Sequence, residues 1–126
     1  MSGATFDTGA LIAAERGSVL VWALHRRLLE RGVCPTVSTT VLGQAWRGGP
    51  QAQLSRLLRG CRVESLNEPQ ARAAGAALAT SNHGDIVDAV VVVGALARGD
   101  LVLTSDPDDL RRIASAIGED LALHVV

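Results

Sequence analysis

The chain has 126 residues, the size of one domain and enough to bury a real core. With 48 % hydrophobic and 20 % charged residues it has the composition of a soluble globular protein. Its formal charge of −1 gives no global pull toward nucleic acid or acidic membrane, so any polyanion must be held by a local arginine patch.

In chain order, residues 4–6 read as a short strand and 8–16 as a helix carrying apolar Leu11 and Ile12. Residues 18–31 form a second helix: Leu20, Val21, Leu24 and Leu28 keep the apolar rhythm, while Arg26, Arg27, Glu30 and Arg31 face water. A strand over 33–38 leads to a short helix, capped by Thr39, that runs through Trp46 and stops at Gly48-Gly49-Pro50. Residues 51–59 make another helix and 61–66 a strand. Asn67 and Gln70 have capping-box spacing and open a helix to about residue 80. Ser81-Asn82-His83-Gly84 is a turn, and Asp85 caps the next segment. There the β-branched run from Val90 to Val93 suggests a strand by propensity. The helical spacing of Ile86, Val90, Val93 and Ala97 favours a helix instead. A strand over 101–104, a helix over 107–117 and a final strand over 121–126 complete the chain. The alternation predicts a three-layer α/β/α sandwich around a mainly parallel sheet, with no internal repeat and one domain over residues 1–126.

Phe6, Trp22 and Trp46 are the only aromatics, so the core is aliphatic. Cys34 and Cys61 form no CxxC pair and read as reduced thiols. No signal peptide is evident, and the longest apolar run, 89–97, is broken by Gly94 and falls short of the ~20 residues of a membrane span. The expectation is a cytoplasmic protein without membrane contact.

Asp7, Asp88 and Asp106 each lie near a strand–helix junction. Each has a structural use, because acids at or near a helix N-terminus cap it or favour its dipole. Asp85 and Asp109 fit the same description. Yet junctions that follow parallel strands share the carboxyl edge of the sheet, where ligands bind. Carboxylates crowded there repel unless a cation lies between them. All 12 basic residues are arginine, so no lysine can neutralise the cluster. Oxygen-only ligands suit Mg²⁺ or Mn²⁺, and two such ions would activate water against a phosphodiester.

The missing lysine argues against a receiver domain and a haloacid-dehalogenase-type phosphatase; Gly9 also stands where the latter's DxDxT start needs its second acid. There is no GK[ST] of a P-loop, no GxSxG elbow and no HExxH, and His25, His83 and His124 are scattered.

Three segments carry a family resemblance. Phe6-Asp7-Thr8-Gly9-Ala10-Leu11-Ile12 resembles the opening DT/AxxLI of PIN-domain ribonucleases, in particular the VapC toxins of bacterial toxin–antitoxin pairs. Asp85-Ile86-Val87-Asp88-Ala89 resembles their DxxDA, and Leu103-Thr104-Ser105-Asp106-Pro107-Asp108-Asp109-Leu110 their LTxDxxDL. The resemblance implies an endoribonuclease dependent on Mg²⁺ or Mn²⁺. Asp7 and Asp88 would be the main metal ligands, Asp106 would complete the site, and Thr104 and Asp109 would stand behind them. One position departs: Gln44 occupies the place where the family usually supplies a glutamate, so a second ion has one acid fewer. Glu15 is a candidate substitute acid. The resemblance also implies a structured RNA substrate such as tRNA, a cognate antitoxin and a homodimer. An alternative from another class is a PIN-like module that has lost activity and works through protein or RNA contacts. Arg47, beside Gln44, is the best candidate for the RNA backbone, with Arg112, Arg111, Arg56 and Arg59 as further cations. The scarcity of aromatics leaves recognition to RNA shape and phosphate contacts.

Overall fold

The computed structural model describes residues 3–82 and 84–126, so His83 and its part of the predicted turn lie outside the described residues. Five strands, β1 (Ala4–Phe6), β2 (Thr36–Ser38), β3 (Arg62–Glu64), β4 (Leu101–Thr104) and β5 (Leu123–Val125), form one sheet in the order β3-β2-β1-β4-β5. Every pairing is parallel. The strands are shorter than sequence reading suggests at β2, β3 and β5. The flanking apolar residues, such as Val33, Leu66 and Leu121, pack on the core from outside the ladder.

Helices α1 (Thr8–Glu15), α2 (Val19–Glu30), α3 (Thr39–Ala45) and α4 (Ala52–Arg59) connect β1 to β2 and β2 to β3. The chain then crosses back over the sheet through α5 (Glu68–Ser81) and α6 (Ile86–Arg98) to β4, and α7 (Pro107–Ala116) leads to β5. α1 packs on α2, α3 and α4, while α5, α6 and α7 pack on one another. Right-handed crossovers in opposite directions from β1 place these two groups on opposite faces, giving the expected α/β/α sandwich. The order reverses between β1 and β4, the topological switch point at which ligands of such sheets bind.

The valine-rich segment is helical, and its environment explains the ambiguity of its sequence. Ala89, Val90, Val91, Val92, Gly94 and Ala95 of α6 are all buried, so the helix is apolar on nearly every side, packed among α5, α7 and the sheet. Gly99, in the left-handed conformation at φ 71°, ends it. Asn67 and Gln70 form the reciprocal capping box at the start of α5. One cap differs from expectation: Ser38, not Thr39, caps α3, its hydroxyl accepting from the Thr40 amide at 3.3 Å. Strand β2 runs directly into the helix, so Thr39 is already helical, and its hydroxyl accepts from the Leu66 amide at 3.3 Å. No helix among the described residues is long and apolar enough to cross a membrane.

Candidate functional site

Asp7 follows β1 and Asp106 follows β4, and these strands are hydrogen-bonded neighbours, so both acids sit at the switch point. The Asp7 amide extends the ladder by donating to the Leu103 carbonyl at 3.2 Å. Its carboxylate caps α1, Oδ1 accepting from the Ala10 amide at 2.9 Å. Asp7 is only 6 % exposed. Burial raises its pKa above the ordinary carboxylate value and the charge of Asp106 adds to the rise, while hydrogen bonds from Thr104 and the Ala10 amide work against it.

Asp88 lies in the first turn of α6, where Asp85 does the capping by accepting from the Val87 amide at 2.6 Å. Asp88 therefore has no capping task. Its pKa is pushed up to about 6, first by burial and then by the charges of Asp85, Asp109, Asp7 and Asp106. Asp88 thus shares one electrostatic field with four further acids. Asp7 and Asp106 follow strands as expected, whereas Asp88 follows the turn between α5 and α6, not a strand.

Asp106 occupies the N-cap position of α7 but makes no capping hydrogen bond with its side chain. Its amide is instead held by the Thr104 hydroxyl at 2.9 Å. The carboxyl is left exposed and shares a hydrogen bond with Asp109, which raises its pKa ahead of burial and the charges of Asp109 and Asp108. Thr104 is fully buried between Asp7 and Asp106 and touches both.

Gln44 is tied to the residue after Asp7. Its Oε1 accepts from the Thr8 hydroxyl at 2.6 Å, and Thr8 is the residue after Asp7. Thr8 lies within the first motif but carries no signal of this role in the sequence. Gly9 has a structural reason: a Cβ there would overlap Ser105 Oγ and approach Asp7 Oδ1, so α1 and the β4–α7 loop meet closely only because residue 9 has no side chain.

Glu15 does not take the missing acid's place. Its Oε2 accepts from the Leu54 amide at 2.6 Å, which ties it to the first turn of α4. Arg47 is exposed and lines the same cavity as Gln44, one guanidinium nitrogen donating to the Trp46 carbonyl at 2.8 Å. Arg112 is exposed on α7 three residues after Asp109, and Arg111 lies 4.0 Å from Asp108. Arg56 and Arg59 line a different surface with Trp22 and His25, Arg56 stacking 4.3 Å from the Trp22 ring.

Among the described residues, no group of three or more His, Cys, Asp or Glu side chains is gathered tightly enough to form a ready ligand set. The donor chemistry nevertheless fits a hard cation. Mg²⁺ is usually held by one or two carboxylates and keeps several waters, and oxygen donors of that kind are what these acids offer. Mutual repulsion at Asp88 also shows negative charge that a cation would relieve.

The sequence matches no protein-family model and no curated protein. Solved structures do resemble it. VapBC2 of Rickettsia felis, bound to a DNA fragment from its promoter, superposes with a TM-score of 0.75 at 15 % identity, over 98 % of both chains. A toxin–antitoxin complex from Klebsiella pneumoniae gives 0.66 at 20 % identity, covering 85 % of this chain and 89 % of that one. A Pyrobaculum aerophilum protein gives 0.63 at 14 % identity, over 96 % and 87 %. At these identities the likeness is one of fold, and the fold is that of a VapC-like PIN domain.

Proposed function

We propose that this VapC-like PIN fold carries a metal-dependent endoribonuclease, the toxin of a toxin–antitoxin pair, acting on structured RNA. The observation that supports the reading is that Asp7 and Asp106 follow the paired strands β1 and β4 while their charges contribute, after burial, to raising the Asp88 pKa to about 6. Carboxylates with raised pKa values at a sheet's switch point support a working site beside any capping role. Asp88 and Asp106 make no capping bond that would give them another purpose.

Asp7 and Asp88 would hold Mg²⁺ or Mn²⁺, with Asp106 completing the site. When bound, the ion supplies Lewis-acid activation of water and offsets charge at the phosphodiester. The chain's own residues do the positioning. Thr104 orients Asp7 and holds the Asp106 backbone, the Ala10 amide fixes Asp7 Oδ1, and Asp109 hydrogen-bonds the Asp106 carboxyl. Arg47 and Arg112 would meet RNA phosphates as exposed cations flanking the acids. Partners in this reading are a cognate antitoxin, a feature of the toxin–antitoxin complexes of like fold, and a second copy of the chain. The work would be done in the cytoplasm by a single domain.

The test is cleavage of total tRNA by purified protein with Mg²⁺ or Mn²⁺, against Asp7→Asn and Asp88→Asn. Both variants should be inactive while keeping the circular-dichroism spectrum of the parent. Undiminished cleavage by a well-folded Asp7→Asn/Asp88→Asn protein would remove the proposal.

A second reading rests on Gln44, which supplies no charge where an acid would bind a second ion: a PIN-like module with weakened catalysis that acts through contacts. Calorimetric titration with Mn²⁺ separates the two. The module predicts no heat that depends on Asp7 and Asp88, and the enzyme predicts binding that both asparagine variants abolish.

A further inference from the structure

A cavity of about 220 Å³ lies against α1, the helix capped by Asp7, and Gln44, Arg16, Arg47, Glu15 and Gln51 are among its lining residues. Gln44 links it to the acidic site through the hydrogen bond to Thr8, the residue after Asp7. That bond occupies Gln44 Oε1 and leaves the amide NH₂ without a hydrogen bond among the described residues. Arg16 makes no ion pair or hydrogen bond among them with its side chain, and Arg47 donates only to backbone carbonyls, which leave its charge uncompensated. Gln51 is spent on the wall itself: its Oε1 accepts from the Arg47 amide at 2.7 Å, and its Nε2 donates to the Ala45 carbonyl at 3.0 Å. Glu15 is the one acid present, and it is turned to the N-terminus of α4, whose dipole and Leu54 amide offset its charge.

Two guanidiniums, one compensated carboxylate and a free amide donor leave this cavity net positive, one helix turn or more from the aspartates around Asp88. With a glutamate at position 44 the charges would cancel, two against two. We propose that the Arg16–Gln44–Arg47 cavity is a subsite for an RNA backbone phosphate next to the one at the carboxylates, with the neutral Gln44 serving as a phosphate donor. From Thr8 to Arg16, α1 rises about 12 Å, which spans a few nucleotides of a strand laid along it. Arginine is suited to the contact because its planar fork meets phosphate oxygens in pairs. The substrate's neighbouring phosphate thereby sets the register in which the scissile bond meets the aspartates. This subsite rests on the ribonuclease reading above.

The experiment is fluorescence anisotropy of a labelled RNA hairpin in EDTA, where binding is read without cleavage. Arg16→Ala and Arg47→Ala should each weaken binding about 3- to 10-fold and each reduce the salt dependence by about one phosphate contact. Gln44→Glu should weaken it by a similar factor and Gln44→Ala by less, while Arg72→Ala, on exposed α5 and paired with Glu68, should change nothing. Parent-like binding by both arginine variants, or by Gln44→Glu, overturns the subsite, as does failure of the parent to bind the hairpin. Asp7→Asn separates this from the underlying reading. If Asp7→Asn still cleaves, the nuclease assignment fails whatever the arginines do. If it binds RNA in EDTA at least as tightly as the parent yet does not cleave, only the cavity is in question.

Discussion

The Thr8 hydroxyl donates to Gln44 Oε1 at 2.6 Å, and this bond ties the neutral residue at position 44 to the helix turn that carries Asp7. A carboxylate can accept the same bond, so Gln44→Glu should fold as the parent does and differ mainly in charge. Divalent ions are held largely by ligand charge, so Mn²⁺ should bind more tightly, on the order of tenfold. The variant should cleave faster at saturating RNA while its KM rises, because the same charge repels phosphate from the neighbouring cavity. Calorimetry and initial rates read the two effects separately. Unchanged Mn²⁺ affinity would show that position 44 does not address the metal.

Asp88 gives the metal-free protein an unusual pH response. Its carboxyl is pushed up to about 6 by burial and by Asp85, Asp109, Asp7 and Asp106, against an ordinary value near 3.8. Between those values the folded chain holds a proton that the unfolded chain has lost, so stability falls as pH rises through this window. Asp7 and Asp106 are shifted the same way. In EDTA the thermal midpoint should therefore climb when pH is lowered from 7.5 to 5.5. Asp88→Asn should melt a few degrees higher at pH 7.5 and show a shallower slope. A parent that loses stability on this acidification would contradict the shared field.

Asp7 and Asp106 were legible in the sequence because a local rule fixes each: a strand ends and a helix begins, and pairing of β1 with β4 sets the two junctions side by side. Asp88 was legible only as an acid in a first helical turn, since α5 and not a strand precedes it. The helix over the Val90 to Val93 run was legible for the same reason, since its spacing is a local property even where its propensity misleads. The roles of Glu15 and Thr8 were not. Glu15 is spent on the Leu54 amide 39 positions away, and Thr8 meets Gln44 across 36 positions. Neither pairing leaves a periodic trace. The polar clamp in which Arg98 binds Asp100 at 2.8 Å, Thr5 at 2.9 Å and Glu64 at 3.2 Å was equally hidden. It joins β1, β3 and the end of α6 through residues that read singly as surface charges.

Gly9→Ala should damage the site despite improving helix propensity by up to about 1 kcal/mol. The added Cβ overlaps Ser105 Oγ, comes 3.0 Å from Ser105 Cβ and stands 3.4 Å from Asp7 Oδ1. Rotating the serine hydroxyl relieves only the first of these, so the loop carrying Asp106 must shift away from Asp7. Cleavage should fall at least tenfold and the midpoint should drop. Ser105→Gly in the same chain should restore both, because it removes the atoms that collide. A single variant with parent-like activity would mean that the two segments need not meet so closely.

Thr104 is the fully buried hinge of the acidic pair, and its hydroxyl serves both neighbours: it accepts from the Asp106 amide at 2.9 Å and hydrogen-bonds the Asp7 carboxylate. Valine matches its shape but has no hydroxyl, so Thr104→Val would leave the Asp106 amide without this acceptor and Asp7 without a donor that favours its charged form. Losing a partner at a buried polar group costs about 1–3 kcal/mol, which a denaturant titration resolves. The Asp7 pKa should rise further, so metal binding should weaken most at acidic pH, where protons compete with the ion. Thr104→Ser keeps the hydroxyl and should stay near the parent in metal affinity and cleavage, at a small packing cost. If the valine and serine variants behaved alike in Mn²⁺ titrations between pH 5.5 and 7.5, the hydroxyl would have no part in holding the two aspartates.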